Sequence, residues 1–315
     1  MDISLWEGYV HHAIRTSFAY KARQIRPGVA GSYPTFIVNE KWVIKFFGEL
    51  LNGAESHAAE RSATRIANLA RVPCATLVAE GKLFDHGQDW PWPYLIFDFI
   101  PGLPYNQVQA GLTHSERIQT AQWLGENIAR LHQFALPENA EFPNNWKGYL
   151  DFLNKQRIEC IDRHRQWGVF PPHLCSQMDD YILPAEQLIS PDEKPHLIHA
   201  DITRDHLLGE YIHGVWACKA IIDFGDAISG SLFYELCALH LDLFAGDREL
   251  LRSFLQSYGT QAQIEPPFIQ RAMSTALLHR FNVFEILPNY YPAYQQATSL
   301  DELADCLWQI DPFES

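Results

Sequence analysis

The sequence of 315 residues lacks most of the features that mark secreted, membrane-spanning or zinc-ribbon proteins. None of its six cysteines forms a Cys-x-x-Cys pair, which argues against a zinc ribbon and against a disulfide framework. There is no uninterrupted apolar stretch of about 18 residues, the length that a membrane-spanning helix needs. The first residues also lack the basic start and apolar core of a signal peptide. We therefore expect a cytoplasmic protein with reduced thiols and no membrane partner.

Positive charge is scarce, since 24 Lys and Arg residues face 38 Asp and Glu residues and leave a formal net charge of −14. An acidic surface repels a polyanion, so we expect no nucleic-acid partner. It would attract a cationic small molecule, although most acidic proteins are acidic only for solubility. Hydrophobic residues make up 47% of the chain, enough for the core of one large or two medium domains.

Several common catalytic signatures are also missing, among them the P-loop, G-x-G-x-x-G, H-E-x-x-H and G-x-S-x-G. The sequence does contain HLIHADITRDHLL at 196–208, followed by IIDFGD at 221–226. Apolar runs beside glycine and charge predict buried strands, which would hold Asp201, Asp223 and Asp226 at the edge of a cleft. Because a buried carboxylate is costly unless it is paired or bound to a metal, these aspartates predict a metal or phosphate site.

A lysine within an apolar strand is the second unusual feature. Residues 35–38 and 41–47 predict two strands joined by a tight turn. Strand alternation then places Val43, Lys45 and Phe47 on one face. Charge normally lies at the surface, so a lysine between apolar neighbours on its own face is a candidate functional residue.

Periodic apolar positions predict helices over much of the remaining chain. Two further strands are predicted at 76–84 and 93–100, and Pro101-Gly102 breaks the second of them. The predicted helices cover 4–24, with a Ser4 cap, and then 55–69, 115–134, 144–167, 173–188, 234–244, 247–258, 267–287 and 299–310.

The pattern H-x-D followed by I-D-F-G, with a lysine on an earlier strand, resembles the aminoglycoside phosphotransferase and choline kinase family. In that family the first motif usually reads H-G-D-x-x-x-x-N, and here His206 stands where the asparagine is expected. The resemblance implies an α+β, two-lobed protein-kinase-like fold. A small antiparallel-sheet N-lobe would occupy residues 1–100, and a larger, mostly helical C-lobe would occupy residues 101–315.

The resemblance also implies roles for the motif residues. Asp201 would orient the acceptor hydroxyl and accept its proton, and His199 would brace the loop through hydrogen bonds. Asp223 would hold the magnesium ion that bridges the nucleotide phosphates. His206 occupies the position of a second metal ligand, but imidazole serves magnesium poorly. We therefore expect His206 to contact Asp201 or a metal-bound water.

Nucleotide contacts are implied mainly for the N-lobe. The residues that would contribute them are Gly31, Ser32, Lys45, Glu60, Asp98 and Ile100. Lys45 would contact the phosphates and pair with Glu60, with Glu55 as the alternative partner on the same helix. The glycine turn would cover the phosphates, and backbone groups at 98 and 100 would pair with the adenine edge.

These roles predict transfer of the γ-phosphate of ATP or GTP to a hydroxyl of a small molecule, with Mg²⁺ as the metal and Mn²⁺ as its substitute. Aminoglycosides and other amine-bearing acceptors fit the acidic charge of the chain. We expect a negative acceptor pocket lined by acidic C-lobe side chains, with Glu235, Asp242, Glu285, Asp301, Glu302 and Asp305 as candidates. The sequence indicates no particular oligomeric state.

Two alternatives remain open at this point. The exchange of asparagine for His206 would fit a nucleotide-binding pseudokinase without turnover, although the other motif residues are all present. A metal-dependent hydrolase would instead use His196, His199, Asp201 and His206. Strand alternation disfavours the hydrolase, because alternation places His199 and Asp201 on one face and His196 on the other.

Overall fold

An antiparallel sheet of five strands forms the N-terminal part of the protein within the residues that the computed structural model describes, 2–29, 31–84, 89–136, 141–190, 192–259 and 267–310. Its strands are β1 (Ile25–Pro27), β2 (Thr35–Val38), β3 (Trp42–Phe46), β4 (Leu77–Lys82) and β5 (Pro93–Asp98). Their order across the sheet is β1-β2-β3-β5-β4, and every neighbouring pair is antiparallel.

The two faces of the sheet bury different partners, because successive side chains of a strand point to opposite sides. Helix α1 (Ile3–Phe18) covers one face, where Val10 packs in a cluster with Phe36 and Phe46. Helix α2 (Gly53–Leu69) approaches the opposite face, to which Lys45 points. The predicted position of Lys45 on the inner face of its strand is therefore confirmed.

The first helix is shorter than predicted. It ends at Phe18 and not at residue 24, because Ala19 adopts a left-handed conformation with φ of 51°. Its cap is Asp2 and not Ser4, since Asp2 Oδ1 accepts the backbone N–H of Ser4 at 2.9 Å. The chain then forms β1, which the sequence did not predict because three residues are too few for a periodic pattern.

Helices dominate the chain after the sheet. Among the described residues they are α3 (Tyr105–Val108), α4 (His114–Gln133), α5 (Lys147–Trp167), α6 (Pro172–Cys175), α7 (Met178–Tyr181), α8 (Leu232–Ala238), α9 (Arg248–Tyr258), α10 (Phe268–Leu277), α11 (Leu287–Tyr290) and α12 (Leu300–Trp308). Helix α4 begins at a capping box in which Thr113 and Glu116 satisfy each other's backbone N–H groups. None of the helices in the described ranges is both long and apolar enough to span a membrane.

Two of the predicted helices are wrong in extent. The segment 173–188 forms the short helices α6 and α7 and a 3-10 turn at Ala185–Leu188, because Pro184 cannot continue a helix. The helix predicted over 267–287 ends at Leu277. The apolar pattern continues beyond the helix because Val283 and Phe284, which lie in an irregular segment, are also buried in the core. A sequence pattern does not distinguish such burial from helical periodicity.

Short strands hold the two motif segments in the helical part. They are β6 (Leu103–Pro104), β7 (His196–Ile198), β8 (Leu207–Ile212), β9 (Val215–Ile221) and β10 (Ile228–Gly230). Strand β8 lies between β6 and β9, and β7 pairs with β10. The loop at 199–206 therefore joins β7 to β8, and Asp223 lies two residues after the end of β9, so that both motifs emerge at neighbouring strand ends.

Candidate active site

A cleft with a volume of about 650 Å³ lies between the sheet and the helical part. Apolar side chains from both sides form much of its wall, including Val43 and Phe97 from the sheet and Leu208 and Ile221 from the motif strands. Asp223 and Lys45 supply charge at its inner end. An apolar cleft with a few charged groups is the usual form of a small-molecule site.

Lys45 lies at the centre of a buried ionic cluster. Its Nζ is 2.7 Å from Glu60 Oε2 and 2.6 Å from Asp223 Oδ1, and the whole residue is only 7% exposed. The predicted ion pair between Lys45 and Glu60 is therefore confirmed. Glu55, the alternative partner, is exposed on α2.

The three members of this cluster titrate far from their ordinary values. Burial alone would lower the pKa of Lys45, but Asp223 and Glu60 together raise it. Burial would raise the pKa of Asp223, but Lys45 and His206 hold it below its usual range. For Glu60 the contact with Lys45 offsets the effect of burial only in part, and burial raises its pKa to about 7. Lys45 is thus charged, and Asp223 is the stronger of its two partners.

The glycine turn is placed differently from the prediction. Gly31 and Ser32 are exposed and are not among the residues that line the cleft in the described part of the chain. Gly28 and Val29 line it instead. A Cβ on Gly28 would lie 2.7 Å from Thr35 Cγ2, so only glycine fits where this loop meets β2. Pro27-Gly28 was the sequence signal that could have identified this position.

Asp98 and Ile100 both line the cleft at the end of β5. The carboxylate of Asp98 accepts the backbone N–H of Thr76, and the Asp98 N–H donates to Thr76 O at 3.0 Å. The side chain of Asp98 is therefore occupied within the protein. The expected contact of a purine with backbone groups at this edge stays a prediction.

The loop that carries Asp201 is held by buried hydrogen bonds. His199 is fully buried, its Nε2 donates to Ile222 O at 2.9 Å, and its Nδ1 accepts the N–H of Asp201 at 3.3 Å. Burial lowers the pKa of His199 to about 4, so the ring is neutral and links the two motifs as a structural brace. Glu235, also fully buried, accepts the N–H of His199 at 2.6 Å and that of Ala200 at 3.2 Å.

His206 lies between the two motif aspartates. Its Nδ1 is 2.7 Å from the carbonyl oxygen of Asp201, to which it donates, and 3.5 Å from Asp201 Oδ2. Its Nε2 is 3.9 Å from Asp223 Oδ2. Burial alone would lower the pKa of His206, but Asp223 and Asp201 raise it. Burial also raises the pKa of Asp201 to about 7, and His206 counteracts this rise.

The residues of this site could hold magnesium only if phosphates and water supplied most of its ligands. In the described ranges, no group of three or more His, Cys, Asp or Glu side chains is arranged to hold a metal ion. Asp223 offers one carboxylate oxygen that is not used by Lys45, with the His206 imidazole beside it. Magnesium commonly takes one or two carboxylates and draws its other ligands from phosphates and water. His196, a ligand in the hydrolase alternative, stacks on His132 with ring centroids 4.9 Å apart, and its Nδ1 is 2.9 Å from the His132 carbonyl oxygen.

The negative acceptor pocket expected from the acidic residues stays a prediction, and three of its six candidates make hydrogen bonds within the protein. Glu235 is bound to the backbone of the Asp201 loop, and Asp242 Oδ1 accepts the N–H of Arg204 at 3.0 Å. Glu302 accepts the N–H of Thr298 at 2.7 Å at the start of α12. Glu235 is also fully buried and so is not available to a ligand, whereas Asp242 and Glu302 keep acceptor sites for further contacts. The sequence did not reveal these bonds, because their partners are distant along the chain or depend on helix capping.

Comparison with known proteins places the chain in a family. Residues 23–270, more than half of its length, match the phosphotransferase enzyme family, abbreviated APH. The chain belongs to this family. The phosphotransferase assignment confirms the resemblance inferred from the motifs, and it also fits the contact between Lys45 and Asp223 in the cleft.

Solved structures of aminoglycoside phosphotransferases share the fold of this phosphotransferase. The GDP complex of wild-type aminoglycoside 2'-phosphotransferase-IIIa superimposes with a TM-score of 0.66 at 18% identity, over 95% of each chain. Spectinomycin phosphotransferase in complex with ADP and spectinomycin gives a TM-score of 0.57 at 13% identity, over 94% of this chain and 90% of that chain. The two-lobed kinase-like fold with a sheet-containing N-terminal part and a helical remainder is therefore confirmed.

A curated relative is the lysine-specific demethylase JMJ21 of Arabidopsis thaliana, 24% identical over 273 residues. The match covers 70% of this chain but only 29% of the length of that relative. The activity in its name belongs to a protein more than three times as long as the matched part. It is not carried over to this phosphotransferase.

Proposed function

We propose that this protein transfers the γ-phosphate of ATP or GTP to a hydroxyl group of a small molecule. The observation that carries this proposal is the buried cluster in which Lys45 contacts both Glu60 and Asp223 at the inner end of the cleft. Phosphoryl transfer requires little covalent chemistry from the protein, and mainly alignment and charge neutralisation. A fixed cation beside a carboxylate supplies the second requirement.

Each part of the cleft has a distinct task in this proposal. The apolar wall and the backbone near Ile100 bind the purine, and Gly28 lets the loop between β1 and β2 pack closely on Thr35 at the wall of the cleft. Lys45 attracts the phosphate oxygens. Asp223 would hold a magnesium ion, which when bound neutralises charge on the transferred group. Glu60 keeps the lysine directed into the cleft.

Asp201 receives the acceptor in this proposal. Its carboxylate accepts a hydrogen bond from the acceptor hydroxyl and takes the proton as the new O–P bond forms and the bond to the nucleoside diphosphate breaks. His206, beside Asp201, keeps its ring nitrogen on the Asp201 carbonyl and so fixes the loop. Lys45, Asp201 and Asp223 are all present and are held by contacts within the protein, which supports an active enzyme over the pseudokinase alternative.

For the acceptor, we propose a small polyhydroxylated molecule, with amine-bearing compounds such as aminoglycosides as the first class to examine. The net charge of −14 supports a cationic acceptor. So do the neighbours, whose solved complexes include kanamycin and spectinomycin. Beside the Asp201 loop, Asp226 is paired with Arg280 at 2.8 Å, so this part of the acceptor region is close to neutral.

The test is nucleotide turnover with a panel of acceptors. Purified protein with ATP or GTP and Mg²⁺ is mixed with aminoglycosides, amino alcohols and sugars, and release of nucleoside diphosphate is measured. We expect at least one acceptor to stimulate release, and Asp201→Asn to abolish the stimulation. Asp162→Asn is a matched control on α5, because its side chain is 79% exposed and is not among the described residues that line the cleft. Tight nucleotide binding without acceptor-dependent release would overturn the proposal in favour of a pseudokinase.

A further inference from the structure

The residue before Asp201 has an unfavourable backbone conformation. Ala200 lies in the left-handed region with φ of 65° and is 1% exposed. A residue with a Cβ is disfavoured there, and glycine is the residue that normally occupies such positions. The conformation of Ala200 sets the direction in which the next residue, Asp201, leaves the loop. Some other group must therefore hold this peptide in place.

Two buried side chains hold the backbone of Ala200 from opposite sides. Glu235, on α8, accepts the N–H of Ala200 at 3.2 Å. His279, which follows α10, has its Nε2 3.2 Å from the carbonyl oxygen of Ala200. Since a carbonyl oxygen only accepts, Nε2 is the donor in this contact. Both polar groups of the Ala200 residue are thus fixed by the protein.

The ring of His279 is itself held rigidly. His279 is 0% exposed and stacks on Tyr234 with ring centroids 4.4 Å apart. Its Nδ1 accepts the N–H of Phe281 at 3.2 Å, which leaves the single proton of the neutral ring on Nε2. Burial lowers the pKa of His279 to about 3, so the ring stays neutral over the working range. The tautomer that can donate to Ala200 is the one that the surroundings select.

We propose that His279 is a positioning residue that fixes the peptide between Ala200 and Asp201 and so directs the Asp201 carboxylate toward the acceptor. This inference rests on the proposed phosphotransferase function. His279 lies beyond residue 270, where the match to the family ends, and no sequence motif points to it. Its role follows from the geometry alone.

Loss of this donor would act on the transfer step and not on nucleotide binding. The Ala200 carbonyl would remain buried without a partner, and the strained peptide would relax toward a commoner conformation. Asp201 would then move relative to the acceptor hydroxyl, and a displacement of about 1 Å can cost ~100-fold in rate. Lys45, Glu60 and Asp223 contact neither His279 nor Ala200, so the nucleotide KM should change little.

The experiment compares two substitutions of similar size and polarity. In His279→Gln the amide nitrogen reaches the position of Nε2 and can still donate to Ala200, whereas in His279→Asn it reaches only the position of Nδ1. We expect kcat of His279→Asn to fall ~10- to 100-fold with a nearly unchanged nucleotide KM, and His279→Gln to keep most of its kcat. Ala200→Gly in the His279→Asn background should recover much of the loss, because glycine adopts positive φ without strain.

The matched control is His240, another fully buried histidine, whose Nε2 donates to Leu307 O at 2.8 Å. His240→Asn and His240→Gln should lower thermal stability to a similar extent as the His279 variants, with no difference in kcat between them. Equal kcat for His279→Asn and His279→Gln, in a protein whose turnover depends on Asp201, would overturn the positioning role and leave the proposed function standing. Turnover that does not depend on Asp201 would overturn both.

Discussion

Glu60→Gln measures how strongly the cluster around Lys45 is desolvated. The substitution removes one carboxylate charge with almost no change of size, and Lys45 keeps its contact with Asp223 at 2.6 Å. Glu60 is 4% exposed, and burial raises its pKa from the ordinary 4.5 to about 7. In the unfolded chain the carboxyl would return to its ordinary value. The two states therefore bind different numbers of protons between these pKa values.

The sign of the effect follows from linkage. At pH values between the unfolded pKa of 4.5 and the folded pKa of about 7, the folded protein holds a proton on Glu60 that the unfolded chain has released. The free energy of unfolding therefore falls as pH rises through this window, and the contribution is fully present only below it. With about 1.4 kcal/mol for each unit of pKa shift, the wild type should lose about 2 kcal/mol from this group between about pH 5 and 7. Glu60→Gln should lose none of it.

Urea unfolding at a series of pH values, followed by fluorescence of the nine tryptophans, measures this difference. The gap between the unfolding free energies of the wild type and Glu60→Gln should change by about 2 kcal/mol, with the variant gaining relative stability toward pH 7. Glu55→Gln is the matched control, because Glu55 is exposed on the same helix and should follow the wild-type curve. Parallel curves for the wild type and Glu60→Gln would show that Glu60 is not desolvated.

Three further substitutions test the roles proposed for the cleft. Asp201→Asn should lower turnover by roughly two to four decades while the nucleotide Kd stays constant, and a loss of only a few-fold in steady-state kinetics would contradict its role. Lys45→Met should raise the nucleotide Kd and reduce the free energy of unfolding by about 3 kcal/mol, because it leaves the buried Glu60 and the partly buried Asp223 without their cation; an unchanged Kd in a titration would remove Lys45 from the phosphate site. His206→Asn should preserve or raise magnesium-dependent turnover with little change in the manganese-to-magnesium activity ratio, since the amide can replace the donor to the Asp201 carbonyl. Complete loss of turnover in a folded His206→Asn protein would assign a chemical role to the imidazole.

Local sequence patterns were sufficient to predict the site residues that lie on regular strands or directly after them. Lys45 could be assigned to the inner face because alternation along β3 is a simple geometric rule. The aspartates at 201 and 223 follow short apolar strands that the pattern revealed. The pairing of Lys45 with a glutamate on α2 was expected from the family resemblance, and the sequence alone left Glu60 and Glu55 as its candidates.

The remaining parts of the site depend on contacts between distant residues. Gly28 is required by the approach of Thr35, and a turn with several small residues does not show which glycine is the constrained one. Glu235 and His279 hold the loop from 36 and 79 positions away, a separation at which no periodic pattern persists. The backbone partners of Glu235 and Asp242 could not be predicted for the same reason, because these contacts appear only after folding.

The contact between Lys45 and Asp223 joins residues that are 178 positions apart. A partly unfolded chain could keep the sheet and α2, and with them the pair of Lys45 and Glu60, yet it would lack Asp223. A ligand that needs all three groups can bind only when the two halves of the protein are docked. By mass action, such a ligand at about 100 times its Kd adds about 2.7 kcal/mol to the stability of the docked state. Resistance to proteolysis at cleavage sites far from the cleft should therefore rise with occupancy of this single ionic cluster.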